Sequence, residues 1–198
     1  SADRPRVGIG VTLFNRAQYL REALDSLLGQ SFTALRLVLV DDGWTDDTER
    51  ICREYAARDA RVTYVRNEPR LGMVGAWRRA FELAAGDGDV EYFAWASDHD
   101  RWNASWLSTL VETLDARQEV VLAYPLTQRL SPEGVPLSKP ARYFDTAGLH
   151  DLRERWLALS VSRSVAAGDM VYGLMRADAV RKAGVFRDVL APDRLLMA

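Results

Sequence analysis

The stretch that decides the fold is residues 35–49, LRLVLVDDGWTDDTE. Its first six residues form a nearly continuous apolar run, which predicts a buried strand. Residues 46–49 then supply side chains that cap and charge the first turn of a helix. The stretch therefore predicts a strand and a helix joined by an acidic turn at residues 41–43.

The same pattern recurs on both sides of this stretch. The apolar run 6–14 precedes leucines at helical spacing, Leu20, Leu24, Leu27 and Leu28. Two further pairs follow, a strand at 62–65 with a helix from about 75 to 85, and a strand at 92–96 with a helix from 104 to 114. Four strand–helix units in succession predict an α/β fold in which helices flank a mainly parallel sheet.

The second part of the chain is less regular. After an apolar run at 120–124, prolines and glycines in residues 125–140 predict a short hairpin and an extended loop. The elements expected beyond them are a helix at 149–161, a strand at 171–175 and a helix that ends at Gly184.

These patterns predict one domain over residues 1–198. Its regular half covers about 6–115, and its irregular half covers about 116–198. The final residues are apolar and carry no helix stop, which predicts that the natural chain continues beyond them.

Composition excludes several classes of protein. The chain carries 26 basic and 28 acidic side chains, and its net charge of -2 argues against a protein that binds nucleic acid. Cys52 is the single cysteine and no cysteine–histidine cluster has zinc-ligand spacing, as expected for a reducing, cytoplasmic setting. No apolar run approaches the roughly 20 residues of a transmembrane segment, so we expect any membrane contact to be peripheral, at the inner face, or to lie outside this chain.

Carboxylates follow two of the predicted strands, at the edge where ligands of parallel sheets bind. Asp41 and Asp42 end the second strand, and Asp98 and Asp100 follow the fourth. Carboxylates that converge repel one another unless a cation or a hydrogen-bonding ligand is present. For Asp41 and Asp42 the alternative is that they only form the turn, since Asp and Gly favour loops.

The spacing of Asp98 and Asp100 indicates a cation site. Alternate residues of an extended segment direct their oxygens to the same side, toward one hard divalent ion such as Mg²⁺ or Mn²⁺. That ion would bridge to a diphosphate. His99, between them, is a third ligand, an orienting group or a histidine that faces solvent.

Several segments, taken in order, resemble the family-two glycosyltransferases of the GT-A fold, the inverting enzymes that take a sugar from a nucleotide diphosphate. They are VTLFNR at 11–16 with Tyr19 and Leu20, LLGQSF at 27–32, VDDGWTDDT at 40–48, Asn67 with Gly72, and WASDHDRW at 95–102. The resemblance is close over residues 6 to about 110 and looser beyond, through VYGLMR at 171–176 and PDR at 192–194. It implies a nucleotide-diphospho-sugar transferase-like, Rossmann-type sheet.

The resemblance assigns the donor side residue by residue. It implies that Thr12 and Phe14 line the nucleoside pocket, with Phe14 where the family usually has tyrosine. Asp42 would accept the imide hydrogen of uracil. Arg70 is a candidate for a phosphate contact, against the alternative of a solvated loop arginine.

The resemblance also implies a metal and a general base. Asp98 and Asp100 would hold Mg²⁺ or Mn²⁺ on the diphosphate, although the family's frequent Asp-x-Asp-Asp is shifted here by His99. An inverting transferase needs a base that takes the proton of the acceptor hydroxyl. Asp193 matches the family's base position. Asp169 is the second candidate, with an acceptor-side contact or a cap before the strand as its alternatives.

We therefore predict a hexosyltransferase-type enzyme of polysaccharide or glycoconjugate synthesis. Its donor would be a nucleotide-diphospho-sugar, most simply a UDP-sugar, and its acceptor a saccharide, a lipid-linked or another hydroxyl. One alternative is a nucleotide-sugar-binding domain without turnover. The other is a Rossmann-type methyltransferase, which needs a glycine-rich turn after the first strand, whereas Gly8 and Gly10 lie inside that strand.

Overall fold

The computed structural model of the chain describes residues 4–86, 88–137, 148–161 and 169–187. Four strand–helix units come first, as predicted. They are β1 (Val7–Leu13), α1 (Ala17–Leu28), β2 (Leu35–Asp41), α2 (Thr48–Arg58), β3 (Val62–Arg66), α3 (Gly72–Ala85), β4 (Tyr92–Ser97) and α4 (Trp106–Ala116).

The later elements are shorter than the sequence predicts. They are β5 (Leu122–Ala123), α5 (Leu152–Val161), a 3₁₀ turn (Met170–Tyr172), β6 (Leu174–Arg176) and α6 (Ala177–Ala183). The prediction of a strand at 171–175 is wrong for residues 171 and 172, because they belong to the 3₁₀ turn. A bridge between Leu130 and Pro136 confirms the short hairpin. Helix α6 ends at Gly184, as predicted.

The helices are short. The longest, α3, has 14 residues. Within the ranges that the structure describes, none of the helices combines the length and the apolar character needed to cross a membrane.

The six strands form one sheet in the order β3-β2-β1-β4-β6-β5. Strands β1 to β4 are parallel, whereas β6 runs antiparallel to β4 and β5 antiparallel to β6. Strand β1 lies between β2 and β4, so the chain order reverses there. In open α/β sheets the crevice at such a reversal, beyond the carboxyl ends of the strands, is where ligands bind.

The sheet is covered on both faces. On one face, Val7, Ile9 and Val11 of β1 pack with the buried residues of α1, α2 and α4. On the other, Phe93 and Trp95 of β4 pack with α3 and α6. The two layers of helices bury the middle of the sheet and leave its carboxyl edge as the place for a site.

Candidate functional site

The carboxyl ends of β1, β2 and β4 lie side by side. The register places Leu13 of β1 beside Asp41 of β2, and Thr12 beside Ser97 of β4. We call this part of the sheet, with Asp41, Asp42, Asp98 and Asp100, the acidic edge. The convergence expected from the strand order is confirmed.

Asp41 is a structural residue of this edge. Its side chain is fully buried. One oxygen accepts the backbone N–H groups of Gly43 and Trp44 at 2.9 and 3.0 Å, and the other accepts the Tyr64 hydroxyl at 2.7 Å and the Arg66 guanidinium at 2.9 Å. A carboxylate offers about four acceptor sites, and all are filled here. Asp41 thus stabilises the turn after β2, which is the alternative that the sequence analysis gave for this residue.

Asp42 is also buried, but it is held by neutral donors from the loop after β3 and from the start of α3. Its Oδ1 accepts from the Asn67 side chain at 3.0 Å and from the Leu71 N–H at 2.7 Å, and its Oδ2 accepts from the Gly72 N–H at 2.9 Å. Gly72 has a φ of 71°, a conformation that favours glycine. The Arg70 Nε lies 3.8 Å from Oδ2. Oδ2 therefore keeps an acceptor site for a further donor.

Two aromatic side chains, Phe14 and Trp44, lie beside Asp42, and we call them the aromatic wall. The Trp44 indole donates to the Leu13 carbonyl, which fixes its plane. The Arg70 guanidinium lies 4.4 Å from the centroid of the Trp44 ring, within cation–π range. The Phe14 ring lies 6.1 Å from that of Trp44 and is 38% exposed. A flat apolar face and a cation thus border the same carboxylate.

Asp98 has both carboxylate oxygens engaged. Its Oδ2 accepts the backbone N–H of Phe14 at 2.6 Å, which ties the end of β4 to the end of β1. Its Oδ1 lies 2.7 Å from the Nδ1 of His99. Asp98 is 2% exposed. Its carboxylate is therefore fixed inside the edge rather than presented to solvent.

Asp100 differs from Asp98 in its surroundings. It is exposed, and its Oδ2 accepts the Ser97 hydroxyl at 2.5 Å. Among the residues that the structure describes, no hydrogen bond reaches its Oδ1. Asp100 is thus the carboxylate of this loop that a cation from solvent can approach.

Asp169 brings the irregular half of the chain to the acidic edge. It is half-buried and lies just before the 3₁₀ turn. Burial raises the pKa of Asp169, a hydrogen bond from Thr127 and the charge of Arg129 oppose the rise, and the negative charge of Asp100 adds to it. Asp169 therefore lies within electrostatic range of Asp100. The first-ranked base, Asp193, lies outside the described residues.

Thr12, Phe14, Asp42, Arg70, Asp98 and Asp100 all lie at this edge. Thr12 is 3% exposed, so it borders the edge from within the sheet. The sequence motifs predict no role for Asn67, which anchors Asp42. The signals for it were its place among the segments that resemble the family and its position directly after β3, at the edge where the other polar residues lie.

A model of glycosyl transferase family 2 matches residues 9–166. The chain belongs to that family. Glycosyl transferase family 2 is the family that the sequence motifs predict, and the methyltransferase alternative is thereby excluded.

Two curated relatives show how much of a family 2 protein this chain spans. It is 27% identical over 136 residues to the putative teichuronic acid biosynthesis glycosyltransferase TuaG of Bacillus subtilis (strain 168), a match of 69% of this chain and 52% of that protein. It is 26% identical over 116 residues to an uncharacterized glycosyltransferase of Haemophilus influenzae, a match of 59% of this chain and 35% of that protein. These matches span from about a third to about half of the relatives' length.

Solved structures confirm the GT-A fold. TarS 1–349 of S. aureus, in complex with UDP-GlcNAc, superposes with a TM-score of 0.71 at 21% identity, over 97% of this chain and 52% of that one. The mannosyltransferase PcManGT of Pyrobaculum calidifontis, in complex with GDP-Man and Mn²⁺, gives 0.65 at 22% identity, over 96% and 50%. At this identity the likeness establishes the fold of the family 2 chain.

The acidic edge of this family 2 chain offers few side-chain ligands to a metal. Within the described ranges, no three His, Cys, Asp or Glu side chains are grouped so that they could hold an ion. An ion bound here would need oxygens from another molecule.

Proposed function

We propose that the chain is the donor-binding part of an inverting, metal-assisted glycosyltransferase that moves a sugar from a UDP-sugar to an acceptor hydroxyl. The observation that carries the proposal is the acidic edge itself, where Asp42 and Asp98 are held in place by backbone N–H groups. Backbone N–H groups hold these carboxylates in position, as a site for a nucleotide and its cation requires. Membership of family 2 supports the reaction class.

The uracil ring of the donor would bind between Asp42 and the aromatic wall formed by Phe14 and Trp44. The free acceptor site on Asp42 Oδ2 suits the N3–H of uracil, whereas cytosine offers no hydrogen at N3. Phe14 and Trp44 offer ring faces for stacking, Thr12 lies at the same strand end, and Arg70 is close enough to shift onto a phosphate. The complex of TarS with UDP-GlcNAc is consistent with a uridine donor.

The segment from Asp98 to Asp100 would hold the cation. Mg²⁺ sites commonly use one or two protein carboxylates and take their other ligands from water and substrate phosphates, so the few donors found here fit an ion that arrives with the diphosphate. When bound, Mg²⁺ or Mn²⁺ would neutralise the charge of the departing diphosphate. Ser97 orients Asp100, and Asp98 joins the loop to β1.

A carboxylate of the irregular half would act as general base. Asp193 is the first choice on the sequence match, and Asp169 is the second. The raised pKa of Asp169 makes its carboxylate a better proton acceptor, which keeps it as a candidate. The irregular half would thus serve the acceptor, and the regular half the donor.

The acceptor would be a saccharide, a lipid-linked or another hydroxyl, in polysaccharide or glycoconjugate synthesis on the cytoplasmic side. The assigned role of TuaG in teichuronic acid biosynthesis supports an acceptor of this class.

The test compares Asp193→Asn with Asp169→Asn in the chain. Removal of a general base lowers turnover typically 10²–10⁴-fold, so Asp193→Asn is expected to lower sugar transfer by about that factor while UDP affinity, measured by calorimetry, changes little. Asp169→Asn is expected to do less. If the two results are exchanged, Asp169 is the base. If the unsubstituted chain binds UDP with Mn²⁺ but transfers no sugar, the binding-domain alternative is correct.

A further inference from the structure

The two aspartates of the Asp98-x-Asp100 motif have different surroundings. Asp98 is almost completely buried, and each of its oxygens has a hydrogen-bond partner. Asp100 is exposed and has one oxygen engaged with Ser97. Each of its oxygens keeps a second acceptor site, but the side chain is only 2% exposed, so a metal would have to enter the buried edge to reach it. Asp98 is therefore poorly suited to be a direct ligand.

His99, in contrast to Asp98, is accessible to a metal ion. Its side chain is 38% exposed, and its Nδ1 lies 2.7 Å from Asp98 Oδ1. Because an ionised carboxylate only accepts hydrogen bonds, the neutral ring carries its hydrogen on Nδ1, which leaves the lone pair on Nε2. Within the described part of the chain, no hydrogen bond reaches Nε2. The imidazole thus has a fixed tautomer and a free coordinating nitrogen.

This arrangement is the one that metal-binding histidines adopt in proteins. A coordinating histidine almost always donates its other ring N–H to a carboxylate or a carbonyl, which fixes the ring and raises its basicity. Asp98 supplies that carboxylate, and the Phe14 N–H in turn holds Asp98. The next residue along the chain, Asp100, supplies an accessible oxygen. Strand β4 ends at Ser97 and a bend follows, so the alternation of an extended segment does not apply to His99 and Asp100.

We propose that His99 Nε2 and the Asp100 carboxylate are the two protein ligands of the divalent cation, and that Asp98 is a positioning residue that acts through His99. The proposal rests on the proposed function, since the diphosphate completes the coordination. One nitrogen ligand among oxygens favours Mn²⁺ over Mg²⁺, because Mg²⁺ is the harder ion and prefers oxygen alone. A Mn²⁺ preference is therefore expected for UDP binding.

Pulsed electron paramagnetic resonance on the Mn²⁺–UDP complex tests the proposal directly, since a coordinated imidazole gives a ¹⁴N coupling. The chain is prepared without a histidine tag and has two histidines. The coupling is expected in the unsubstituted chain and in His150→Gln, the matched control at an exposed position. It is expected to vanish in His99→Gln, with a dissociation constant for Mn²⁺–UDP raised by about 10- to 100-fold.

Asp98→Asn provides a second, independent variant. One side-chain oxygen then remains to accept, so either the Phe14 N–H or His99 loses its acceptor. The ¹⁴N coupling is expected to weaken or broaden, and the affinity for Mn²⁺–UDP to fall by about 10-fold or more. In Asp100→Asn the affinity also falls, but the ¹⁴N coupling of any complex that forms is retained.

Three outcomes would overturn the assignment. If the chain binds Mn²⁺–UDP without a ¹⁴N coupling, or if the coupling persists in His99→Gln, then His99 is not a ligand and the proposed function stands. If EDTA leaves UDP affinity unchanged and no Mn²⁺–UDP complex forms, both the assignment and the metal-assisted function are wrong.

Discussion

The two ends of the parallel sheet hold their carboxylates in different ways. At the amino ends of β1 and β4, Arg6 pairs with Glu91 at 2.6 Å and with Asp115 at 2.9 Å, and all three side chains are at least a third exposed. At the carboxyl ends, Asp42 and Asp98 are buried and accept backbone N–H groups. The first group of carboxylates is held by hydrogen bonds from an arginine, whereas Asp42 and Asp98 accept hydrogen bonds from neutral backbone N–H groups. Acidic side chains therefore join elements of the fold at one end of the sheet, whereas at the other end we propose that they bind the donor.

The largest expected effect is the loss of stability on substitution of Asp41, which binds the Arg66 guanidinium at the acidic edge. Asp41→Ala leaves the Tyr64 hydroxyl, the Arg66 guanidinium and the turn N–H groups without their acceptor. The free energy of unfolding is expected to fall by about 3–5 kcal/mol, as for the loss of one partner from a buried pair. Urea unfolding followed by tryptophan fluorescence measures it.

The matched control for that experiment is Asp47→Ala. Asp47 is 66% exposed and pairs with Arg50 on the surface. Its loss is expected to cost less than about 1 kcal/mol. Equal losses for Asp41 and Asp47 would remove the distinction between buried and exposed carboxylates of this chain.

The next effect concerns recognition by Asp42. Asp42→Asn is preferable to alanine, because the carboxylate also anchors the Leu71 and Gly72 N–H groups of α3. The amide has one acceptor oxygen, so the preference for UDP over CDP is expected to fall by about 1–3 kcal/mol, roughly 5- to 150-fold. Calorimetric titration with both nucleotides measures the ratio. An unchanged ratio in a folded variant would mean that Asp42 does not read the base.

A smaller change in stability is expected from a substitution at the amino ends of β1 and β4. Glu91 is 57% exposed, and its carboxylate binds the Arg6 guanidinium. Glu91→Gln is expected to lower the free energy of unfolding by less than about 1 kcal/mol, and 0.5 M salt, roughly, should reduce the difference. A loss as large as that of Asp41→Ala would show that both ends depend equally on their carboxylates.

The smallest expected effect is the pH dependence of the stability that Arg6 gains from Glu91 and Asp115. Hydrogen bonds from Arg6 hold the pKa of Glu91 and that of Asp115 below their usual values of 4.5 and 3.8, with the Tyr92 hydroxyl also lowering that of Asp115. A carboxylate whose pKa is lowered by folding stabilises the fold above its usual pKa, and the contribution is lost as the pH falls through the lowered value.

The unfolding midpoints of the chain and of Arg6→Gln should therefore differ most above about pH 4.5 and converge as the pH falls below 3.8. A difference that grows on acidification would contradict the sign of these shifts.

The strands and the position of the site were predictable because both depend on local patterns. Apolar runs such as residues 35–40 identify strands, and strand order alone places the residues that follow them at one edge. Helix α3 begins at Gly72 rather than near 75 because Asp42, far away in sequence, accepts its first N–H groups. Local periodicity carries no signal for such a distant cap.

The roles of individual atoms were less predictable. Asp98 and Asp100 look equivalent in sequence, and the difference between them arises from the Phe14 N–H, which only the folded sheet brings near Asp98. The apolar pattern of residues 171–173 predicts a strand. Residues 171 and 172 instead belong to a 3₁₀ turn, where Tyr172 packs on Trp77, and an apolar run does not distinguish the two.

Gly8 and Gly10 of β1 affect the position of Asp42 at the distant acidic edge. A Cβ on Gly8 would collide with the Ala84 carbonyl, and one on Gly10 would lie 2.9 Å from the Ala80 Cβ, so α3 rests directly on the strand. Roughly 12 Å along the same helix, at 1.5 Å per residue, its first turn holds Asp42. A Cβ at either glycine is therefore expected to push α3 away from the sheet and to shift the Asp42 carboxylate that its first turn holds. Two missing methyl groups in the middle of the sheet thus help to fix a carboxylate at its edge, and we expect substitutions at Gly8 or Gly10 to shift Asp42 without contacting it.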